Sequence, residues 1–206
     1  MLCALAEKYR SDKCPRILHS YTPAYDKILG ETRHDAKLVV EIGIGFPELM
    51  RPIAGDGYRP GASLRMWRDY FPGAQIIGCD IRRDVLFQEE RISCRLVDQS
   101  DRESLLALKT ALISHYDSAD MILDDGSHEP GHMILTFTML WGAVKVGGVY
   151  IIEDIRRDHI LHFSKLFAMF PDCRLLYVHH GEGAWDSFVC FKKVGAQSGE
   201  GPVQVE

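Results

Sequence analysis

Five short apolar runs recur along the chain, and their alternation with helical patterns limits the fold more than any other feature. The runs are KLVVEIG (37–43), AQIIGCDI (74–81), ISCRLVD (92–98), ADMILDD (119–125) and VYIIEDI (149–155). They are almost continuously hydrophobic, as strands are in a parallel sheet covered on both faces. Helical patterns occupy residues 62–71, 101–115 and 130–144, with Asp101 placed as the N-cap of the second. This alternation predicts an α/β doubly wound, Rossmann-like sheet. The end of the chain departs from it. RLLYVHH (174–180) and DSFVCFKK (186–193) are separated only by GEGAW, a spacing that predicts an antiparallel hairpin and not a crossover. The expected order, counting the runs along the chain, is 3-2-1-4-5-7-6, with strand 7 antiparallel. Residues 1–30 are expected to cap the sheet, 1–193 to form one domain, and the Gly- and Ser-containing stretch 194–206 to be a mobile tail.

Composition narrows the function classes. The 206 residues suit one domain, 46% are hydrophobic, and the formal charge is −5. With a pI of about 6.0 the chain lacks the basic footprint of a nucleic-acid binder. No run approaches the roughly 18 apolar residues of a membrane span, and the opening MLCALAEKYR is too short for a signal peptide. The six cysteines form no CxxC pair; Cys79, Cys94 and Cys190 lie inside strand runs and read as buried thiols of a reducing compartment. A cytoplasmic protein without nucleic-acid or membrane partners is expected. Its oligomeric state stays open, a homo-oligomer included.

The first strand ends in Glu41-Ile42-Gly43-Ile44-Gly45, and the second ends in Asp80. Gly43 and Gly45 let the backbone pass close to a ligand, and Asp80 is placed to accept hydrogen bonds from ribose hydroxyls. No third glycine completes GxGxxG, and Pro47 is expected to disrupt a helix running straight from the turn toward a pyrophosphate. These residues suit an adenosine without phosphates, a structural turn being the alternative. Asp98 and Gln99, at the end of the third strand, could take an adenine amine or simply form a turn and helix cap.

DDGSHEPGH (124–132) contains a literal HExxH, but Pro130 and Gly131 separate the histidines and the helix is expected to start at Glu129 or Pro130. His128 then lies in a loop and His132 in the first turn, so the two need not share the helix face that a zinc protease requires. Sheet geometry offers another reading. Asp125 ends the fourth strand and Glu153-Asp154 end the fifth, about 4.8 Å away, at the carboxyl edge where such sheets bind ligands. Three converging carboxylates favour a hard divalent cation, Mg²⁺ before Mn²⁺ or Ca²⁺. His128, three residues past Asp125, can serve the same pocket as a general base. Separate surface carboxylates with a solvated histidine are the bland alternative.

Several motifs in one order resemble the Mg²⁺-dependent class I S-adenosylmethionine methyltransferases, above all the macrocin- and mycinamicin-type sugar O-methyltransferases and the cephalosporin hydroxylase family. They are KYRSDK (8–13), HSYTPAYDKIL (19–29), LVVEIGIG (38–45), GASLRMWRDYFPGAQIIGCDI (61–81), ERISCRLVDQSD (90–101), DDGSH (124–128) and GGVYIIEDI (147–155). The resemblance implies Asp125, Glu153 and Asp154 as Mg²⁺ ligands and His128 as the base for an acceptor hydroxyl. It implies that Glu41, Gly43 and Gly45 line the methionine side of S-adenosylmethionine, that Asp80 holds the ribose and that Asp98 and Gln99 hold the adenine. Ser63 is expected to approach the cofactor, and His19 and Tyr21 to close the pocket or to play a structural part. The implied acceptor is a small molecule, a sugar or another vicinal diol of a natural product. The sequence departs from the family in FPELMRP (46–52), where a glycine run is usual, and in Arg10, where a glycine is usual. A nicotinamide oxidoreductase and a non-catalytic cofactor-binding module are the alternatives.

Overall fold

The computed structural model describes residues 1–156, 159–160, 163, 169–183 and 185–195. Most of the expected tail, 196–206, lies outside the described residues.

Eight strands form one sheet: β1 (Leu38–Ile42), β2 (Gln75–Asp80), β3 (Gln88–Glu89), β4 (Ile92–Leu96), β5 (Ala119–Asp124), β6 (Val144–Ile152), β7 (Cys173–His180) and β8 (Ser187–Lys193). Their order is β3-β4-β2-β1-β5-β6-β8-β7. β1, β2, β4, β5 and β6 run parallel, and β8 is antiparallel to both β6 and β7. This is the expected order with one addition: the two-residue β3, antiparallel to β4 at the edge. A pair so short carries no hydrophobic period by which to read it.

Six helices cover the sheet among the described residues: α1 (Leu2–Tyr9), α2 (Thr22–Leu29), α3 (Pro47–Ala54), α4 (Ala62–Tyr70), α5 (Arg102–Tyr116) and α6 (Pro130–Leu140). Side chains of a strand alternate between faces. Val39, Met121, Leu123, Val149 and Ile151 therefore pack with α1, α2 and α4 around Trp67 and Tyr25. Val40, Ile42, Ile122, Tyr150 and Ile152 pack with α5 and α6 around Phe137. Asp101 caps α5, its carboxylate accepting from the N–H groups of Glu103 and Ser104. Cys79 and Cys190 are buried, Cys94 is half-buried, and all six cysteines are free.

Two expectations need correction. Pro47 does not prevent a helix after the first turn; it opens α3 at a first-turn position, where the missing N–H has no intrahelical acceptor to lose. The helix predicted over 130–144 ends at Leu140, and β6 starts at Val144, five residues before the apolar run at 149, so Gly147-Gly148 lies inside the strand. Gly147 has φ 88°, and the β5–β6 register shifts between Ala119 and Met121, which marks a bulge built on glycine. None of the described helices is long and apolar enough to cross a membrane.

Candidate active site

Alternation along three neighbouring strands sets up the site. On β5, Met121 and Leu123 face the α1–α2 side, so Asp125, one residue beyond the strand, faces that side and Asp124 the other. On β6 the same count from Val149 and Ile151 brings Glu153 to the side of Asp125. Ile42 pairs with Asp124, and Asp124 with Ile152. The ladder extends one step further, Asp125 N donating to Ile42 O at 2.8 Å and Glu153 N to Asp124 O at 3.0 Å. A Cβ on Gly43 (φ 95°) would sit 2.0 Å from the Asp125 carbonyl oxygen. Glycine there is what allows β1 to lie against the DDGSH turn.

The residue that organises these carboxylates is Lys13, which sequence reasoning did not single out. Its ammonium, 1% exposed, donates to Asp125 Oδ2 at 2.6 Å and to Glu153 Oε2, and lies 3.5 Å from Glu41 Oε1. The other Glu153 oxygen accepts from the Tyr25 hydroxyl. Lys13 is carried on the loop between α1 and α2, tied down by Tyr21 N and Thr22 N donating to Lys13 O at 3.2 and 3.0 Å. Arg10 turns the chain out of α1 with φ 61°, the left-handed region that glycine enters most cheaply. Its guanidinium donates to Ala54 O at 2.8 Å.

A cleft of about 470 Å³ opens at the carboxyl edge of the sheet. Of the residues singled out from the sequence, Gly43, Gly45, Asp80, Asp98, Gln99, Asp125, His128 and Asp154 line it, with His19 and Asp12. Glu41, Ser63 and Glu153 stand behind its wall, 0%, 9% and 1% exposed. Asp80 accepts from Ile44 N and Arg82 N, both at 2.9 Å, which holds its carboxylate against the first turn. Asp98 accepts from Ser100 N and Oγ at 2.8 and 2.6 Å. Tyr21 is buried, and its hydroxyl donates to Asp154 Oδ1 at 2.6 Å. His19 stacks on Tyr21 and has Nδ1 3.2 Å from Asp186 Oδ1.

Asp125, His128 and Asp154 each turn a ligand atom toward one point, these atoms lying within 4.8 Å of one another. His128 Nε2 is 3.8 Å from Asp154 Oδ2, and its Nδ1 has no hydrogen-bond partner among the described residues. His128 and Asp154 hold φ of 55° and 51°, a conformation that strains non-glycine residues and gathers at functional sites. His132 lies on the first turn of α6 with Nδ1 3.0 Å from Ser127 Oγ, and neither it nor Glu129 joins the cluster. The HExxH string is thus not a zinc-binding helix.

The cluster is strongly acidic. Burial pushes Asp154 up, and Asp125 pushes it further. Burial acts on Asp125 in the same sense, but Lys13 and then His128 outweigh it and hold that carboxyl below its ordinary range. Burial also pushes Glu153 up, against the pull of Lys13, and raises Glu41 to about 7. Repulsion between Asp125 and Asp154 is what a divalent cation relieves, and their carboxylate oxygens suit a hard ion, which leaves the neighbouring imidazole nitrogen free of it. The residues present fit Mg²⁺ in this respect.

On the opposite face, burial raises Asp124 to about 7, only partly offset by its hydrogen bond from Gln99. Its folded pKa exceeds the unfolded one, so the native state holds the extra proton between about pH 4 and 7. Stability therefore falls as pH rises through that window. Asp124→Asn is expected to flatten the fall by up to ~1.4 kcal/mol per pH unit, read from urea midpoints at pH 5 and 7. An unchanged slope would show that Asp124 does not carry it.

No family model matches the sequence. The chain is 36% identical over 158 residues to the 8-demethyl-8-alpha-L-rhamnosyl tetracenomycin-C 2'-O-methyltransferase of Streptomyces olivaceus, covering 77% of this chain and 38% of that protein. It is 38% identical over 138 residues to the demethylmacrocin O-methyltransferase of Streptomyces fradiae, covering 67% and 32%. The chain thus spans about a third to two fifths of the length of these curated relatives. The MycE methyltransferase of the mycinamycin pathway, solved with Mg, SAH and mycinamycin VI, superposes with a TM-score of 0.75 at 27% identity, covering 98% of this chain and 57% of that one. The chain carries the class I methyltransferase fold and is a homologue of the sugar O-methyltransferases of macrolide and tetracenomycin pathways.

Proposed function

We propose that this chain transfers a methyl group from S-adenosylmethionine to a hydroxyl of a small glycoside, with Mg²⁺ at the strand ends and His128 as the base. The observation that carries this reading is the convergence of Asp125, His128 and Asp154 in the same cleft as Gly43, Gly45, Asp80 and Asp98. The relatives' named activities and the Mg and SAH of the MycE structure support it.

Asp125 and Asp154 would hold the ion from the cleft side. Glu153, expected as a third ligand, stands behind them: its two oxygens accept from Lys13 and Tyr25, and it buttresses Asp125 through the shared ammonium. When bound, Mg²⁺ supplies charge that lowers an acceptor hydroxyl's pKa, and the sulfonium supplies the methyl. The chain's own residues do the rest. Asp80 holds the ribose, Asp98 faces the adenine, and Gly43 and Gly45 admit the methionine side. His128, with Nε2 turned into the cleft, takes the hydroxyl proton as oxygen attacks the methyl carbon. Confinement of the two reactants in one cleft supplies alignment.

The test is methyl transfer to rhamnosyl and other deoxysugar glycosides with and without EDTA. Turnover that requires Mg²⁺ and yields S-adenosylhomocysteine is expected. Asp154→Ala is expected to abolish the Mg²⁺ requirement together with most of the turnover, and to weaken Mn²⁺ binding at least tenfold by calorimetry. Full EDTA-resistant activity would overturn the metal assignment. A thermal shift with NAD but none with S-adenosylmethionine would favour an oxidoreductase.

A further inference from the structure

Gln99 sits at the end of the adenosine side of the cleft, but its amide is turned elsewhere. Nε2 donates to Asp124 Oδ1 at 2.5 Å, and Oε1 accepts from Ser127 N at 2.9 Å. Gln99 is 7% exposed and Asp124 is fully buried, so these are bonds within the protein and not a solvated surface pair. They join three points: the turn after β4, the end of β5, and the DDGSH loop one residue before His128. The loop and the amide pack closely at that point. A Cβ on Gly126 would lie 2.4 Å from Gln99 Oε1, so glycine at 126 is what seats the amide.

His128 needs such support. Its backbone is left-handed at φ 55°, a state that persists only where the surroundings over-determine it. Its Nδ1 has no hydrogen bond among the described residues and its Nε2 has only Asp154 Oδ2 at 3.8 Å, so the backbone does much of the aiming. The peptide N–H of Ser127, held by Gln99, fixes the chain just ahead of it.

We propose that Gln99 is a positioning residue for His128, clamping the DDGSH loop through Ser127 while anchored on Asp124, and that it does not select the adenine. This rests on His128 being the base. The cofactor-binding turn and the base loop are thereby one hydrogen-bonded unit, and its loss displaces the base without emptying the cofactor site.

The test compares Gln99→Ala, Gly126→Ala, His128→Ala and the Gln99→Ala/His128→Ala double variant. Gln99→Ala is expected to lower kcat roughly ten- to a hundredfold, the range that a misplaced catalytic group produces. Its Kd for S-adenosylhomocysteine, by calorimetry, should stay within about threefold of wild type. Gly126→Ala, which displaces the amide without removing it, should reproduce that split and keeps the test open if Gln99→Ala fails to fold. The double variant should be no slower than His128→Ala alone, since a displaced base that is absent cannot matter twice. Weakening of S-adenosylhomocysteine binding by tenfold or more with kcat unchanged would make Gln99 an adenine contact and overturn the proposal. Additive losses in the double variant would overturn it too. Wild-type turnover in His128→Ala would sink the base assignment itself, whereas wild-type turnover in Gln99→Ala beside an inactive His128→Ala sinks only the positioning role.

Discussion

Lys13→Met is expected to lower the folding free energy by about 3–5 kcal/mol, the usual consequence of removing one partner from a buried ion pair. The Lys13 ammonium is enclosed by carboxylates from three adjacent strand ends: Glu41, Asp125 and Glu153. Burial opposes its charge, yet Asp125, Glu153 and Glu41 hold it well above its ordinary pKa. Methionine fills much the same volume but leaves those carboxylates without a counter-charge and frees the α1–α2 loop. Urea unfolding followed by the fluorescence of buried Trp67 measures the loss. Adding Glu153→Gln to Lys13→Met should recover part of it, because one unpaired carboxylate is then gone. A midpoint unchanged in Lys13→Met would show that the ammonium is not what holds the strand ends together.

His128→Ala is expected to reduce turnover by roughly 10² to 10⁴, the range typical of a lost general base, with S-adenosylhomocysteine affinity within about twofold of wild type. The expectation follows from where the ring stands. Nε2 lies 3.8 Å from Asp154 Oδ2, and among the described residues no hydrogen bond ties the ring to the groups expected to hold cofactor. Asp80 and the first turn keep their own contacts through Ile44 N and Arg82 N, so cofactor binding has no reason to change. Single-turnover transfer of labelled methyl, together with calorimetry, separates the two quantities. Full turnover at unchanged affinity would remove the imidazole from the mechanism.

Strand positions and the closing hairpin were legible because they rest on local signals, continuous apolar runs, spacing and turn residues; the strand order followed from the fold class those elements implied. The start of α6 at Pro130 was legible for the same reason. The two misread boundaries are also local. Pro47 is compatible with a helix as long as it opens it, and Gly147-Gly148 marks a bulge inside a strand as readily as a turn before one.

Side-chain partnership lay beyond that reach. Lys13 finds Asp125 and Glu153 across 112 and 140 residues of chain, and nothing in KYRSDK distinguishes a buried lysine from a solvated one. Glu41 and Asp124 end up enclosed with pKa values near 7 because neighbouring elements cover them, which the strand pattern hints at but cannot specify. Gln99 had a plausible ligand-facing role in sequence, but in the fold both ends of its amide meet protein groups.

The sequence by itself determined the sheet, its winding and the gathering of acidic residues at one edge, since periodicity and alternation are properties of the backbone. Only the tertiary structure decided which carboxylates face the cleft, which are locked behind it by Lys13 and Tyr25, and how His128 is aimed. Those outcomes depend on contacts between distant segments in a low-dielectric interior, where each charge or amide is set by whatever else is packed against it.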